Sequence, residues 1–400
     1  MRILQLAHKS PYPPHEGGPM AMNAIADGLM RLGHTVEVLC MNTPKYNVPL
    51  DTIPEAYKKK VNYNAVFVDN RVRIFPAFLN LFSPVSYHVA RFVNKAYEKK
   101  LSETLQSAKY DVVLLESLYV TPYVNIIRDY HAGPLFLRAH NIEFRIWERL
   151  THNEKNPVKR YYLRYLTKKL KRYEIKIIDS IDGVIAISSV DKIFFDTLKS
   201  GTDVIAIPYA IDHAVTGHAA PPVKSVPLFY HLGSMNWLPN LEAVNWLLKK
   251  VWPDVVKRIP SAVISIAGRS MPEDIVAFSN NSVKVERDIK SVEDYLSDKH
   301  VLLAPIFSGS GIRIKILEAM SYGKLVITTA TGAEGIDYED GKDIMIAETA
   351  GQFVEKIILV CNNPVLITTI GQHARQTITG KYDLIRVSKK LEAFMEGFLL

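Results

Sequence analysis

The amino-acid sequence predicts an α/β protein with two doubly wound, Rossmann-like domains that face a central cleft. Short apolar runs rich in Val, Ile and Leu alternate with amphipathic helical patterns along the whole chain. Continuous apolar runs are typical of strands that are buried on both faces of a parallel sheet. One stretch rich in Pro, Gly and Ala interrupts the pattern near the middle, and 400 residues exceed one ordinary core. The cleft between two such domains is the expected ligand site.

The interruption divides the chain into two halves. We expect an N-terminal domain at residues 1–215, a linker at 216–227 and a C-terminal domain at 228–380. Residues 381–400 have the pattern of an amphipathic helix. The apolar runs that we interpret as strands are 2–8, 35–41, 72–78, 111–116, 134–140, 183–188, 203–208, 228–234, 262–268, 283–288, 300–306, 325–329 and 343–348.

Composition and charge narrow the class of protein. Apolar residues make up 48% and charged residues 22% of the chain, as in soluble globular proteins. The net charge of +8 suits anionic small molecules, an anionic membrane surface or nucleic acid, and does not choose among them. The sequence has two distant cysteines, Cys40 and Cys361, no signal-peptide pattern and no long apolar run, which predicts a reduced cytoplasmic protein.

Candidate ligand residues follow two strands of the first half, since ligands of such sheets bind at the carboxyl ends of strands. Gly17 and Gly18 directly precede a helix, where backbone N–H groups and the helix dipole favour an anion. A flexible glycine turn is the alternative. The fifth strand ends in His140, Asn141 and Glu143, which makes them candidate ligand contacts. For a lone histidine the alternative is a structural role.

In the second half, Gly233 and Arg269 follow the first two strands. The stretch SGSGIRIKILEAM, residues 308–320, is a small-residue loop that leads into a helix expected to begin near Ile312. The first turn of a helix exposes N–H groups that an anion can fill, and Arg313 and Lys315 add positive charge.

An acid in this helix, Glu318, suggests which anion binds there. It lies seven residues after Gly311, about 10 Å along a helix axis. A carboxylate accepts two hydroxyl hydrogen bonds well. The spacing therefore predicts a nucleoside diphosphate with its diphosphate at the glycines and its ribose at Glu318. An ordinary capped helix with a surface acid is the alternative.

The segment GSGIRIKILEAMSYGKLVITTATGAEGI resembles the donor-binding segment of the GT4 glycosyltransferases, which adopt the GT-B fold. The resemblance extends through HLGSMNWLPN, IAGRS, the EGG loop near the N-terminus and IPYAID, and covers most of the chain. It implies metal-independent transfer of a sugar from a nucleotide-sugar to an acceptor hydroxyl, with retention at the anomeric carbon. In agreement, the sequence has no Asp-x-Asp motif and no His/Cys cluster with ligand spacing. The resemblance also implies that the terminal helix crosses back to the N-terminal domain.

The resemblance assigns roles to individual residues. Glu318 is the ribose-binding second glutamate of a pair whose first position is Ser310 here. Phosphate neutralisation falls to Arg313 or Lys315, with Arg269 as a substitute cation, and His140 approaches the donor sugar as the catalytic candidate. Residues 285–289 place the nucleobase. The donor-binding set is Gly17, Gly18, Gly233, Arg269, Ser308, Gly309, Ser310, Gly311, Ile312, Arg313, Lys315 and Glu318, and the candidate acceptor or sugar contacts are Glu16, Asn141 and Glu143.

The expected partners are a nucleotide-sugar of UDP or GDP type and a glycan or lipid-linked acceptor, without a cofactor, a metal or nucleic acid. We expect a role in polysaccharide, lipopolysaccharide or glycolipid assembly, at the inner face of the membrane. A basic helical stretch, residues 159–176, is the candidate membrane contact, with a solvated helix face as the alternative. A sugar-nucleotide epimerase and a catalytically silent partner of another transferase are the alternative functions. The eight cations of the stretch are Lys159, Arg160, Arg164, Lys168, Lys169, Lys171, Arg172 and Lys176.

Overall fold

Two parallel β-sheets organise the chain, as the continuous apolar runs predict. The structure is a computed structural model that describes residues 1–14, 17–198, 201–212, 226–309 and 311–399. The chain divides into a first unit, Met1–Ala210 with Leu384–Leu400, and a second unit, Ile211–Asp383. Residues 213–225 lie outside the described residues, and with them most of the expected linker.

The first unit holds a seven-stranded sheet in the order β3-β2-β1-β4-β5-β6-β7, and all its strand pairs are parallel. The strand order reverses between β1 and β4, where Ala7 lies opposite Glu116. This is the place at which such sheets bind ligands. The strands are β1 Arg2–Ala7, β2 Thr35–Asn42, β3 Asn64–Phe67, β4 Val112–Glu116, β5 Leu135–Ala139, β6 Gly183–Ala186 and β7 Asp203–Ala206.

The second unit holds a six-stranded parallel sheet in the order β10-β9-β8-β11-β12-β13. Its strand order reverses between β8 and β11. The loops that follow these two strands are therefore the expected ligand-binding loops. The strands are β8 Leu228–Leu232, β9 Val263–Gly268, β10 Val283–Arg287, β11 Val301–Ala304, β12 Leu325–Thr328 and β13 Met345–Ile346.

Helices connect the strands. A π-helical turn, Leu247–Val251, joins α10 to α11, and a 3₁₀ turn, Asn80–Phe82, follows α3. The helices are α1 Gly17–Arg31, α2 Glu55–Lys60, α3 Ile74–Leu79, α4 Tyr87–Ala90, α5 Lys95–Ser107, α6 Val124–Tyr130, α7 Glu143–Asn153, α8 Pro157–Ile177, α9 Ser189–Thr197, α10 Leu238–Trp246, α11 Trp252–Arg258, α12 Glu273–Val276, α13 Val292–Leu296, α14 Ile314–Ser321, α15 Ala350–Asn362, α16 Val365–Lys381 and α17 Leu384–Glu396.

The central strand β1 shows why the runs are apolar throughout. Leu4 and Leu6 pack in one buried cluster of the first unit, whereas Ile3 and Ala7 pack in another. Alternate side chains of a strand point to opposite faces of the sheet, so both faces carry a core. The terminal helix α17 completes the second of these clusters through Leu384.

The helix α17 packs on α1 within the first unit. A Cβ atom added at Gly28 of α1 would lie 1.9 Å from Oγ of Ser388, so the glycine allows the two helices to approach closely. His34, just after α1, contacts Glu392 through Nε2 at 2.6 Å.

One strand prediction is wrong. The run at 72–78 forms most of α3 rather than a strand, and the third strand lies earlier, at Asn64–Phe67. Pro76 lies within this run, and a proline removes one ladder donor from a strand but is tolerated in the first turn of a helix. The side chains of α3 are mostly exposed; only Ala77 is buried.

Within the described residues, no single helix is long and apolar enough to cross a membrane. The pair α15 and α16, bent by 107°, passes the test of length and composition.

Candidate active site

The loops after β8 and β9 approach each other so closely that only glycine fits. Gly268 has a φ of +153°, and a Cβ atom there would lie 1.8 Å from the carbonyl oxygen of Gly233. A Cβ atom at Gly233 would lie 2.5 Å from the side-chain nitrogen of Asn240 and 2.9 Å from Nζ of Lys315. Bare backbone therefore lies beside a lysine at the point where the strand order of the second sheet reverses.

Lys315, in the first turn of α14, is the central cation of this site. Its Nζ donates to Oδ1 of Asn240 at 2.5 Å and lies 3.3 Å from Nε2 of His231. The side-chain amide of Asn240 in turn donates to the carbonyl of Ser234 at 2.9 Å. Burial, with a smaller contribution from Arg313, lowers the pKa of Lys315 to about 7. The two hydrogen-bond partners of this amine, the side-chain amide of Asn240 and the ring of His231, carry no charge.

His231, in the interior of β8, is fully buried and was not singled out from the sequence. Its Nδ1 lies 2.8 Å from the carbonyl oxygen of Leu303 and must donate to it. Burial holds its pKa well below the ordinary value, so the ring is neutral and Nε2 is an acceptor for Lys315. The signal in the sequence is a single histidine within a continuous apolar strand.

Arg313 secures the loop before α14. Its guanidinium donates to the carbonyls of Gly311 and Ser308, the second at 3.5 Å, and lies 5.6 Å from the ring centre of Trp237. Gly309 and Gly311 have φ values of +90° and +83°, which favour glycine. Ser310 lies outside the described residues.

The helix begins later than the sequence predicts. Arg313 has a non-helical ψ of 88°, and α14 starts at Ile314 rather than near Ile312, which is half-buried. The buried arginine holds two loop carbonyls and thereby delays the first turn. Glu318 is then four residues into the helix, about 6 Å along the axis from Ile314; the predicted distance of about 10 Å was counted from Gly311, which precedes the helix.

Glu318 is half-buried on α14, one turn from Lys315. Burial raises its pKa to about 7, and Lys315 opposes that rise. Residues three apart on a helix lie on the same face. The site thus combines a carboxyl and an amine that both titrate near neutral pH.

The other predicted residues of the second unit lie at its loops. Arg269 is exposed directly after β9, and its carbonyl accepts from the N–H of Met235 at 2.9 Å. Oγ of Ser308 donates to Oε2 of Glu242 at 2.7 Å. The predicted nucleobase segment, 285–289, begins in β10 and ends in a turn.

In the first unit, His140 belongs to a buried charged cluster at the ends of β1, β4 and β5. Its Nε2 lies 2.5 Å from Oε2 of Glu116, which is fully buried. The same carboxylate accepts from Arg138 at 3.1 Å and from Gln5 at 2.6 Å. Nη1 of Arg138 also donates to the carbonyl of Ala21 in α1, at 3.1 Å. The sequence prediction contained His140 but none of its polar partners.

Burial and the neighbouring charges determine the protonation states of Glu116 and His140 in this cluster. Burial alone would raise the pKa of Glu116, but Arg138 and His140 lower it to about 2. Burial lowers the pKa of His140 despite its bond to Glu116. A neutral ring that donates from Nε2 to the carboxylate leaves Nδ1 as an acceptor. His8 contacts the backbone carbonyl of Glu116 at 3.0 Å, and burial lowers its pKa to about 3.

The glycine pair of the first unit opens α1 beside a lysine. Gly17 is the first residue of the helix, and a Cβ atom at Gly18 would lie 2.8 Å from the side chain of Lys9. This repeats the combination of glycine, helix N-terminus and lysine found in the second unit. Glu16 lies outside the described residues.

Glu143 is held by its own neighbours. It is buried at the start of α7, and its Oε2 accepts from the hydroxyl of Tyr119 at 2.8 Å. Burial raises its pKa, while Tyr119 and Asn141 oppose the rise by hydrogen bonds. The carboxyl of Glu174 accepts from the N–H groups of Glu143 and Phe144, both at 2.9 Å. Glu143 is thus engaged in the first unit's structure.

No group of three or more His, Cys, Asp or Glu side chains that could hold a metal ion is found within residues 1–14, 17–198, 201–212, 226–309 and 311–399.

Comparison with known proteins agrees with this architecture. Residues 226–363 match the family model of group 1 glycosyl transferases. An uncharacterized 44.6 kDa protein in the cps region of Klebsiella pneumoniae is 24% identical over 405 residues, which cover 96% of this chain and 97% of that protein.

Solved structures share the fold across the whole chain. Sucrose-phosphate synthase from Thermosynechococcus elongatus superposes with a TM-score of 0.71 at 13% identity, and the superposition covers 99% of this chain and 99% of that one. Anabaena HepE in complex with UDP gives a TM-score of 0.67 at 14% identity, covering 99% of this chain and 100% of that one. The chain therefore has the GT-B fold of two Rossmann-like units, and the family match supports a glycosyltransferase.

Proposed function

We propose that the chain is a GT4-type glycosyltransferase that moves a sugar from a nucleoside diphosphate donor to an acceptor hydroxyl, with retention and without a metal. The observation that carries this proposal is the site around Lys315: an ammonium bonded to neutral groups, beside two bare glycine loops and the start of α14. The match of residues 226–363 to group 1 glycosyl transferases supports the same assignment.

The diphosphate occupies the anion-binding part of this site. The first N–H groups of a helix lack partners within the helix, and the helix dipole adds positive potential there; in α14 the N–H of Ile316 donates to the carbonyl of Arg313 at 2.8 Å. Burial and Arg313 lower the pKa of Lys315 to about 7, while Glu318 opposes this shift; a bound anion adds negative charge and so favours the protonated amine. Arg313 contributes charge and holds the loop in shape.

The ribose lies at Glu318. This carboxyl is about 6 Å from the start of α14, which a nucleoside diphosphate can span between its phosphates and its sugar hydroxyls. Its pKa of about 7 leaves it about half-ionised at neutral pH. Two hydroxyl donors stabilise the carboxylate and complete its ionisation.

The chemistry follows from charge development. Cleavage of the bond between sugar and phosphate leaves negative charge on the diphosphate, which oriented N–H groups and Lys315 stabilise. The acceptor hydroxyl attacks from the face that the diphosphate leaves, and the diphosphate takes its proton, so the anomeric configuration is retained. His140 accepts a hydrogen bond from a donor-sugar hydroxyl through Nδ1, since Glu116 engages Nε2.

The donor is of UDP or GDP type, with UDP as the first choice. HepE of the same fold has been solved with UDP and with UDP-glucose. The acceptor is a glycan or a lipid-linked glycan in polysaccharide, lipopolysaccharide or glycolipid assembly, and the enzyme acts in the cytoplasm at the membrane face. Arg269 and residues 285–289 contact the nucleotide at the end of β9 and after β10.

The basic stretch 159–176 contacts the membrane. It lies in α8, whose Asn156 cap accepts from the N–H groups of Val158 and Lys159 at 3.0 and 3.1 Å. One of its eight cations is not at the surface: Lys169 is buried and donates to the carbonyl of Asn80 at 2.6 Å. The other seven are exposed.

Thermal melting with nucleotides tests the donor site. The purified chain is melted with UDP, GDP, ADP, CMP and their common sugar forms, beside Lys315→Gln and a control, Lys250→Gln, at an exposed lysine. A ligand at one hundred times its dissociation constant adds about 2.7 kcal/mol, or roughly 5–10 °C. We expect a shift with one nucleoside diphosphate in the wild type and the control, and a much smaller one in Lys315→Gln. No shift with any nucleotide would contradict the proposal.

Turnover separates transfer from the other functions. Release of nucleoside diphosphate that depends on an acceptor supports the transferase. Conversion of the nucleotide-sugar without an acceptor would show an epimerase, and nucleotide binding without any turnover across an acceptor panel would favour a silent partner.

A further inference from the structure

A surface of the first unit exposes large apolar side chains next to a basic helix. The run at 72–78, predicted to be a buried strand, is instead the exposed helix α3. Isolated exposed apolar residues are ordinary, whereas a contiguous group of them marks an interaction site. We call the group the apolar surface; its members, each more than half exposed, are Phe67, Val72, Ile74, Phe75, Phe78, Leu79 and Phe82.

The orientation of this surface is fixed by contacts on its other side. Ala77 of α3 is buried against Tyr87 and Leu166. The hydroxyl of Tyr165 donates to the carbonyl of Leu81 at 2.8 Å, and Lys169 donates to that of Asn80 at 2.6 Å. These contacts fix the segment against α8. The exposed apolar side chains therefore belong to a packed helix and not to a loose loop.

The helix α8, which contacts this segment through Tyr165 and Lys169, carries positive charge. Its one acidic residue, Glu174, is buried, so its exposed face carries only cations among charged groups. The helix α8 also exposes two large apolar side chains of its own, Val158 and Tyr161. The exposed cations of α8 are Lys159, Arg160, Arg164, Lys168, Lys171, Arg172 and Lys176.

Among the described residues, acids lie near two of these seven cations. Glu154 pairs with Lys159 at 2.6 Å, and Glu148 lies 3.7 Å from Lys171. Asp69 pairs with Arg71 and Arg73 beside α3, which leaves one positive charge there in excess.

We propose that the apolar surface inserts into the interface of an anionic lipid bilayer while the exposed cations of α8 contact its headgroups. An apolar group flanked by Lys and Arg is the combination by which proteins bind in the plane of an anionic membrane. A second copy of the chain is the less suitable occupant, because a symmetric contact would bring two basic α8 faces together. The insertion rests on the membrane contact of α8 proposed above and adds the residues that enter the bilayer; it does not depend on the transfer reaction.

Vesicle sedimentation with the full chain, without any donor, tests the insertion. The vesicles are phosphatidylcholine alone, or equal parts of phosphatidylcholine and phosphatidylglycerol. We expect binding to the mixed vesicles and a loss of roughly tenfold or more for the double variant Ile74→Ser with Phe75→Ser. The matched control, Val190→Ser with Ile193→Ser, removes two exposed apolar side chains from α9 and should bind as the wild type does.

A second pair of variants tests the charge. Arg164→Gln with Lys168→Gln should weaken binding to the mixed vesicles by roughly twentyfold, since each cation contributes about a factor of five at such a surface. Lys249→Gln with Lys250→Gln makes the same change in net charge at two exposed lysines of the second unit and should not weaken it.

Vesicle binding and the oligomeric state together decide whether the apolar surface binds a membrane. Equal vesicle binding by the wild type and the Ile74/Phe75 variant would overturn the proposal. So would a wild-type dimer in sedimentation velocity that this variant converts to a monomer without a change in vesicle binding, because the apolar surface would then be a self-association interface. Melting with UDP on the same samples reports the donor site separately, so failure of one proposal is distinguishable from failure of the other.

Discussion

The pH dependence of donor binding should be set by two groups on α14 that act in opposite directions. A diphosphate requires Lys315 as the ammonium, whose pKa burial lowers to about 7, so affinity falls as pH rises through that value. Ribose hydroxyls require Glu318 as the carboxylate, whose pKa burial raises to about 7, so affinity falls as pH drops through that value. The wild type should therefore bind best near neutral pH.

The size of the effect follows from these two ionisations. At the optimum each group is about half in its binding form, and one pH unit to either side leaves one of them at about a tenth, so affinity is roughly threefold weaker on both sides. Replacing Glu318 by Gln removes the acidic decline. It also removes a hydrogen-bonded charge, which weakens binding at neutral pH by roughly ten- to hundredfold.

Titration calorimetry with UDP-glucose measures this, because its two phosphates carry no proton that titrates near neutral pH. Glu318→Gln should keep only the decline at high pH, and Lys315→Gln only the decline at low pH. Glu355→Gln, at an exposed acid of α15, is the control that should behave as the wild type. An affinity of Glu318→Gln equal to that of the wild type across the range would refute the ribose assignment.

Three further predictions concern stability, each measured by urea unfolding. Glu116→Gln should cost about 3–5 kcal/mol, since it leaves a buried cation unpaired, and the wild-type advantage should vanish as pH falls from 4.5 towards 2; Glu148→Gln, at an exposed ion pair, should change little. Gly268→Ala should cost at least about 2 kcal/mol because its Cβ would overlap a backbone oxygen, whereas Gly351→Ala, in open space, should stay within about 1 kcal/mol. Glu174→Gln should abolish a loss of stability as pH rises from 4.5 through about 8, since burial raises the pKa of that carboxyl; an unchanged pH profile would contradict this.

Much of the fold could be predicted because a doubly wound sheet buries both faces of its strands. Every predicted run except 72–78 overlaps an observed strand. The apolar side chains of the run 72–78 are mostly exposed on α3 rather than buried in a sheet. The local sequence pattern is the same in both cases, so it does not distinguish a buried apolar run from an exposed one. The third strand, Asn64–Phe67, is half-buried at the edge of the sheet and gives a weak signal.

The site could be predicted only in part. Glycine loops and helix starts are visible in sequence, so the prediction could include Gly233, Gly311 and Lys315. His231 and Glu116 were missed because they lie within strands, in LFYHL and VVLLE. Their partners come from other strands, and no local pattern gives that pairing. A single polar residue inside a buried apolar strand is the signal that would have found both.

The two polar centres differ in the partners of their buried ionisable groups, Glu116 in the first unit and Lys315 in the second. In the first unit the counter-charge of Glu116 is Arg138, whose guanidinium lies 3.1 Å from the carboxylate; His140 adds a hydrogen bond, and the pKa of Glu116 is held low. Such a cluster fixes geometry and needs no ligand. In the second unit the ammonium of Lys315 meets only neutral hydrogen-bond partners, and burial lowers its pKa. A buried cation whose hydrogen-bond partners are neutral is stabilised when an anion binds beside it, which is the physical basis of our proposal that the diphosphate binds in the second unit.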